Sequence, residues 1–169
     1  MFTMKYDITV GNYRIGMLDK VEVHRSVELL ADTATITLPG AQYNVALEVE
    51  SSLKRGDAVC IRFGYEEFGL VEEFRGYLQR VSTDGGSITL TCEDDLFTFR
   101  RDIPNEVLKN VSLKELLQKV IGGIGQPYSV DCSYQWTYSK FVINNATGYD
   151  VLKKVQEEWQ PAIWVRREK

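Results

Sequence analysis

The sequence predicts a mainly β chain, α+β overall, in two parts. An antiparallel barrel or sandwich spans residues 1–105, and a small α+β segment with two helices spans 106–169. Three observations predict it. Apolar residues recur with period two up to about residue 92, tight-turn residues separate the runs, and beyond Cys92 the spacing becomes helical behind two helix-start patterns.

The elements follow in order. Tyr6, Ile8 and Val10 alternate with Lys5, Asp7 and Thr9, and Tyr13, Ile15 and Met17 continue after Gly11-Asn12, a two-residue turn suited to type II′. Val21, Val23, Val27 and Leu29 share one face against Glu22, His24, Ser26 and Glu28, and Arg25 marks a bulge or strand end. Ala34, Ile36 and Leu38 alternate with Thr33, Thr35 and Thr37 until Pro39-Gly40. Val59, Ile61 and Phe63 follow the turn-like Arg55-Gly56-Asp57. Phe74, Gly76 and Leu78 share a parity that Val81 breaks, which predicts an irregularity between Leu78 and Val81. Asp84-Gly85-Gly86 then turns the chain into Ile88, Leu90 and Cys92. Strict alternation means half-buried strands, hence antiparallel pairing. Six or seven such strands with tight turns form a barrel or a sandwich.

Asp94 to Phe97 reads as a short helix. Ser112 and Glu115 form a capping box ahead of Leu113, Leu116, Leu117, Val120 and Ile121, and Gly122-Gly123 is expected to end that helix. Thr147 and Asp150 open a second helix whose buried stripe is Val151, Leu152, Val155 and Trp159, with Pro161 as its stop. Residues 128–132, 134–143 and 162–166 read as short strands.

Composition narrows the function. The 169 residues are 44% hydrophobic and 26% charged, ordinary for a globular chain. No apolar run approaches the ~18 residues of a membrane span, and the N-terminus lacks a signal-peptide apolar region, so a soluble product without a membrane partner is expected. A net charge of −4 weighs against general nucleic-acid binding, which needs a basic footprint. Cys60, Cys92 and Cys132 are an odd number at wide spacing, and read as reduced structural cysteines rather than a disulfide framework or a zinc site.

Catalysis finds little support, and no catalytic, cofactor-binding or metal residue is assigned. His24 is the single histidine and sits among polar strand positions without a nucleophile motif. Gly122-Gly123-Ile124-Gly125 follows a helix, whereas a phosphate-cradling loop precedes one. The pairs Glu66-Glu67, Glu72-Glu73 and Asp94-Asp95 are sequence neighbours, which face opposite sides of a strand and do not make the two-carboxylate cleft of a glycosidase. Tyr134, Trp136 and Tyr138 share one face if their run is a strand. Such a stripe packs under the helices as core or contacts a sugar, base or protein partner.

Several segments together resemble a known family. Residues 31–39, ADTATITLP, and 54–64, KRGDAVCIRFG, are similar to the opening barrel of phage baseplate hub proteins. Residues 74–81, FRGYLQRV, and 87–94, SITLTCED, resemble the family's next strands, as LKELL at 113–117 and GYDVL at 148–152 resemble its later elements. The family is the late control protein D group, related to contractile-tail hubs and to the N-terminal part of type VI secretion spike proteins. The resemblance implies a tail-tube-like first barrel, a structural rather than enzymatic role and no cofactor. It further implies tail-tube and spike proteins as partners, a trimeric full-length form, and a place in the tail or baseplate of a particle made in the bacterial cytoplasm. Family members are longer, and this chain ends inside what reads as a second domain.

The expectation is therefore a baseplate-hub subunit of a phage, prophage or related contractile injection system. Its candidate protein-contact residues are Thr33, Thr35 and Thr37 on one strand face and Tyr134, Trp136 and Tyr138 in the second part. The alternative is a small β-barrel module that binds glycan or single-stranded nucleic acid. A third reading, a tail-linked cell-wall hydrolase using Glu66, Glu67, Glu72 or Glu73, requires a cleft between separated carboxylates.

Overall fold

The computed structural model describes residues 3–26, 28–39, 52–84, 86–159, 163 and 165. Val27, Gly40, Gly85, Pro161, the expected strand at 162–166 and the basic end Arg166-Arg167-Glu168-Lys169 lie outside the described residues or largely so. Two compact units divide the chain, Met1–Phe97 and Thr98–Lys169.

The first unit is one seven-stranded antiparallel sheet, as the alternating pattern requires. Its strands are β1 (Met4–Val10), β2 (Tyr13–Arg14), β3 (Lys20–His24), β4 (Thr33–Leu38), β5 (Ala58–Tyr65), β6 (Gly69–Asp84) and β7 (Ser87–Glu93). They lie in the order β2-β1-β5-β6-β7-β4-β3. Among the described residues no ladder joins β2 to β3, so the sheet is open by its hydrogen bonds. Its inner face nevertheless gathers one core, including Ile8, Ala34, Ile36, Ile61, Leu78 and Leu90, each fully buried. The mainly β, antiparallel fold class holds.

The strand β6 explains how a single sheet collects its core. Its first half, Gly69 to Tyr77, pairs with β5, and its second half, Tyr77 to Asp84, pairs with β7. The two ladders meet at Tyr77. A register shift between Leu78 and Arg80 leaves Gln79 as the extra residue, the irregularity that the parity change at Val81 predicts. A second shift, at Ile61/Arg62, makes Glu73 the extra residue of β6.

Some expectations change. Gly11 alone of its turn pair has a positive φ, +58°, as a type II′ turn needs. The following strand ends at Arg14, and Met17 is exposed because Ile15 is the last side chain of that run to reach the core. β3 stops at His24, just before Arg25, and Leu29 is exposed rather than sharing the face of Val21 and Val23.

At the end of β7 the chain turns through a 3-10 helix, Asp95–Phe99. The Asp94 carboxylate caps it by accepting the Leu96 amide at 2.9 Å, and it accepts the Asp32 amide at 3.0 Å. Burial is the largest influence on this group and pushes its pKa from 3.8 up to about 6, against the pull of those two bonds. Because the folded pKa lies above the unfolded one, the stability tied to its proton is complete below about pH 4 and is lost as pH rises through about 6. Taking wild type from about pH 4 to about pH 7 should therefore lower its stability relative to Asp94→Asn by about 2 kcal/mol, allowing for partial exposure. Urea melts of both proteins at the two pH values check this, and an unchanging difference would refute it.

The second unit contains β8 (Glu106–Ser112), α1 (Leu113–Ile124), β9 (Thr137–Ile143) and α2 (Gly148–Trp159), with β8 and β9 paired as an antiparallel ribbon. Both helix starts form as read. The Glu115 amide donates to Ser112 Oγ at 3.3 Å while the Ser112 amide donates to Glu115 Oε2 at 2.9 Å. Thr147 and Asp150 repeat the exchange at 3.1 and 2.9 Å. Ser112→Ala and Thr147→Ala are each expected to destabilise this unit by about 1 kcal/mol in denaturant melts.

Three readings of this unit are corrected. α1 runs through Gly122 and Gly123 to Ile124 and ends at Gly125, whose φ is +65°. Gly123 is needed for close packing rather than termination, since a Cβ there would sit 2.9 Å from Ile103 Cγ2. Residues 128–132 form no strand; Tyr128 instead packs on Phe99 and shares a hydrogen bond with Thr98. The strand expected over 134–143 begins only at Thr137, and its partner β8 was not anticipated. In β8 the left-handed Asn110, φ +50°, lets Leu108 and Val111, three apart, both point inward, which hides the alternation.

Candidate protein-interaction surfaces

The threonine face forms as an ordered polar surface. Thr33, Thr35 and Thr37 are half-buried on the side of β4 opposite Ala34, Ile36 and Leu38. Their cross-strand partners continue the row, with Glu22 beside Thr35 and Thr91, and Lys20 beside Thr37 and Thr89. β6 extends it through Arg80 and Ser82. Threonine pairs of this kind stabilise a sheet through their methyl and hydroxyl groups while leaving a polar outer surface. His24, opposite Thr33 at the end of β3, is on the same strand edge and meets no catalytic partner among the described residues.

Tyr134, Trp136 and Tyr138 do come together, but not as one strand face. Tyr134 stacks on Trp136 and Trp136 stacks on Trp159, each pair with ring centroids 4.8 Å apart. Tyr138 meets Trp159 edge-on at 6.4 Å and Phe141 at 5.1 Å. Trp159, read as part of the buried stripe of α2, is 47% exposed. The pile closes the segment before β9 onto the end of α2, and the Leu113 amide fixes the same segment by donating to the Trp136 carbonyl at 2.8 Å. Both faces of Trp136 are taken by neighbouring rings, so it offers no face to a sugar or a base.

The paired carboxylates are largely tied up at the surface. Glu66 pairs with Lys5 at 2.6 Å, Glu73 with Arg25 at 3.5 Å, and Glu72 accepts Arg75 Nε at 3.0 Å. The Arg75 hydrogen bond holds the Glu72 carboxyl below its ordinary range. Among the described residues no group of three or more His, Cys, Asp or Glu is arranged to hold a metal ion, and no helix is long and apolar enough to cross a membrane.

One surface escaped the sequence reading. The inward-facing row Ile8–Ile61–Phe74 continues outward as Tyr6–Phe63–Val71 and then Met4–Tyr65. Past Phe63 this apolar stripe is uncovered: Val71 is 59% exposed, and Phe68, in the turn between β5 and β6, is 76% exposed. The signal lay in residues 65–71, YEEFGLV. Apolar residues dense enough to continue the core stripe surround a turn that the core does not reach. Contiguous exposed apolar surface of this kind marks a contact site more often than isolated exposed residues do.

Solved structures share this fold. The chain is similar to a 43 kDa tail protein of prophage MuSo2 from Shewanella oneidensis, with a TM-score of 0.59 and 15% identity over 92% of this chain and 50% of that one. It is also similar to a tail protein from Neisseria meningitidis MC58 (TM-score 0.52, 14% identity, 88% of this chain and 44% of that one). A Francisella PdpA-VgrG complex gives a TM-score of 0.56 at 13% identity, covering 92% of this chain and 25% of that one. The chain thus spans half or less of the length of each. No protein-family model and no curated protein matches it. The resemblance to the hub group holds at the level of fold.

Proposed function

We propose that the chain is a structural subunit of a phage or prophage tail, or of a related contractile injection system, and within it a baseplate-hub subunit between tail tube and spike. The observation that carries this reading is the fold likeness to a prophage tail protein across 92% of the chain. The likeness to a structure containing a VgrG protein adds support for a place near a spike. The role is mechanical rather than catalytic. Residues 1–105 supply a tube-like sheet and 106–169 a small α+β unit, and neighbouring tail proteins and further copies are the partners. The polar threonine face suits a surface in contact with water or with polar neighbours.

Cryo-electron microscopy of tails purified from a host carrying the gene tests this reading. Density for this fold at the junction of tube and spike is expected. Its absence from particles of proven composition would overturn the assignment.

A further inference from the structure

We propose that copies of this chain associate head to tail, the β5–β6 hairpin end of one copy seating on the outer face of the β8–β9 ribbon of the next. The inference rests on the assembly role proposed above for its setting and names the faces through which copies meet.

The ribbon face has two unmet needs. Lys109 lies directly opposite Lys140, and two pairs further along Val107 lies opposite Val142. Regular alternation places all four on the same side, away from the buried Leu108 and Phe141. The two valines are 54% and 44% exposed. Like charges directly opposite one another in an antiparallel pair repel, and among the described residues neither lysine has an acidic partner. A carboxylate set between the lysines relieves the repulsion, and an apolar side chain beside it covers the valines.

The hairpin end supplies both. Tyr65-Glu66-Glu67-Phe68 places two carboxylates between two aromatic residues, with Val71 next to them on the apolar stripe. Glu66 is engaged by Lys5, while Glu67 has no cationic partner among the described residues. A nucleic acid would suit the lysines but be repelled by the hairpin, and an unrelated acidic protein would leave the hairpin uncovered. A second copy carries both halves of the match. Because two different faces meet, repeating the contact builds a closed ring, of which the reciprocal pair is the smallest, or an open string.

Sedimentation velocity of the purified chain, from micromolar to near-millimolar concentration at low and high salt, tests the contact. Salt-sensitive species larger than the monomer are expected. Lys109→Glu/Lys140→Glu, Glu67→Lys and, through its apolar side, Phe68→Ser should each weaken association at least tenfold while leaving the melting temperature unchanged. Mixing the first two variants should restore association, because the acidic ribbon of the first then meets the basic hairpin of the second while the unchanged hairpin of the first still fits the unchanged ribbon of the second. A chain that stays monomeric throughout, or association that survives all three changes, overturns the proposal. Either result is separable from the tail assignment: presence in particles with a monomer in solution removes only the self-contact, and self-association without incorporation removes only the tail role.

Discussion

Gly76→Ala is expected to destabilise the first unit by about 3 kcal/mol, a fall in Tm of roughly 10–20 °C for a unit of this size. Gly76 has no unusual backbone angle. Its side of β6 faces the chain leaving β7, and a Cβ there would stand 2.2 Å from the Glu93 carbonyl oxygen and 2.9 Å from the Asp94 Cα. Both obstacles are backbone, held by the β6–β7 ladder at Tyr77–Glu93 and by the hydrogen bond from the Asp94 amide to the Asp32 carbonyl. Neither gives way without loss of pairing. Gly122→Ala provides the opposite sign, because nothing lies within 4 Å of its added methyl and alanine is the better helix former. It should stabilise α1 by roughly 0.5–1 kcal/mol. Thermal melts followed by far-ultraviolet circular dichroism compare the two, and a mild effect at Gly76 would mean that β7 is not held where it appears.

Leu116→Ala is expected to cost the second unit about 3 kcal/mol. Leu116 is fully buried on α1, in the stripe with Leu113, Val120 and Ile124 that packs toward α2 and β8. Removing it leaves a cavity between elements that already form a small core. Leu117→Ala, one position round the helix and only half-buried, should cost about 1 kcal/mol. Tryptophan fluorescence isolates the effect, since Trp136, Trp159 and Trp164 all belong to this unit. Equal losses at the two leucines would contradict the assigned helix face.

Much of this architecture was legible because its signals are local. Alternation at Thr33 to Leu38 defines β4 to the residue, and the parity break at Val81 locates a bulge that lies one turn of register away. The Ser112 and Thr147 caps are equally local, since each acts on an amide three residues on. Signals that depend on distant partners were not legible. Gly122-Gly123 looked like a helix stop because the reason for Gly123 is Ile103, twenty positions away. β8 was hidden because Asn110 breaks its alternation, which only the partner strand β9 makes sensible. The candidate contact residues divide in the same way. The threonine face follows from alternation alone, whereas the neighbourhood of Tyr134, Trp136 and Tyr138 depends on a distant residue. They meet through Trp159 of α2 rather than through a shared strand face.

The handover along β6 also determines how the first unit bears load. A force applied at the Phe68 turn draws β5 and β6 together, so it is carried in shear by the β1–β5 ladder, with its bonds loaded in parallel from Met4–Tyr65 to Val10–Val59. The β7–β4–β3 side receives that force only past Tyr77, where β6 changes partners. Tyr77 is also braced from its side, its ring stacked on Phe97 at 5.5 Å and Arg55 lying over the same Phe97 ring at 5.4 Å. A sheet made this way behaves as two stiff plates riveted at one strand position. Because the join is continuous backbone, the two plates separate under tension only after β6 has come away from one of its ladders.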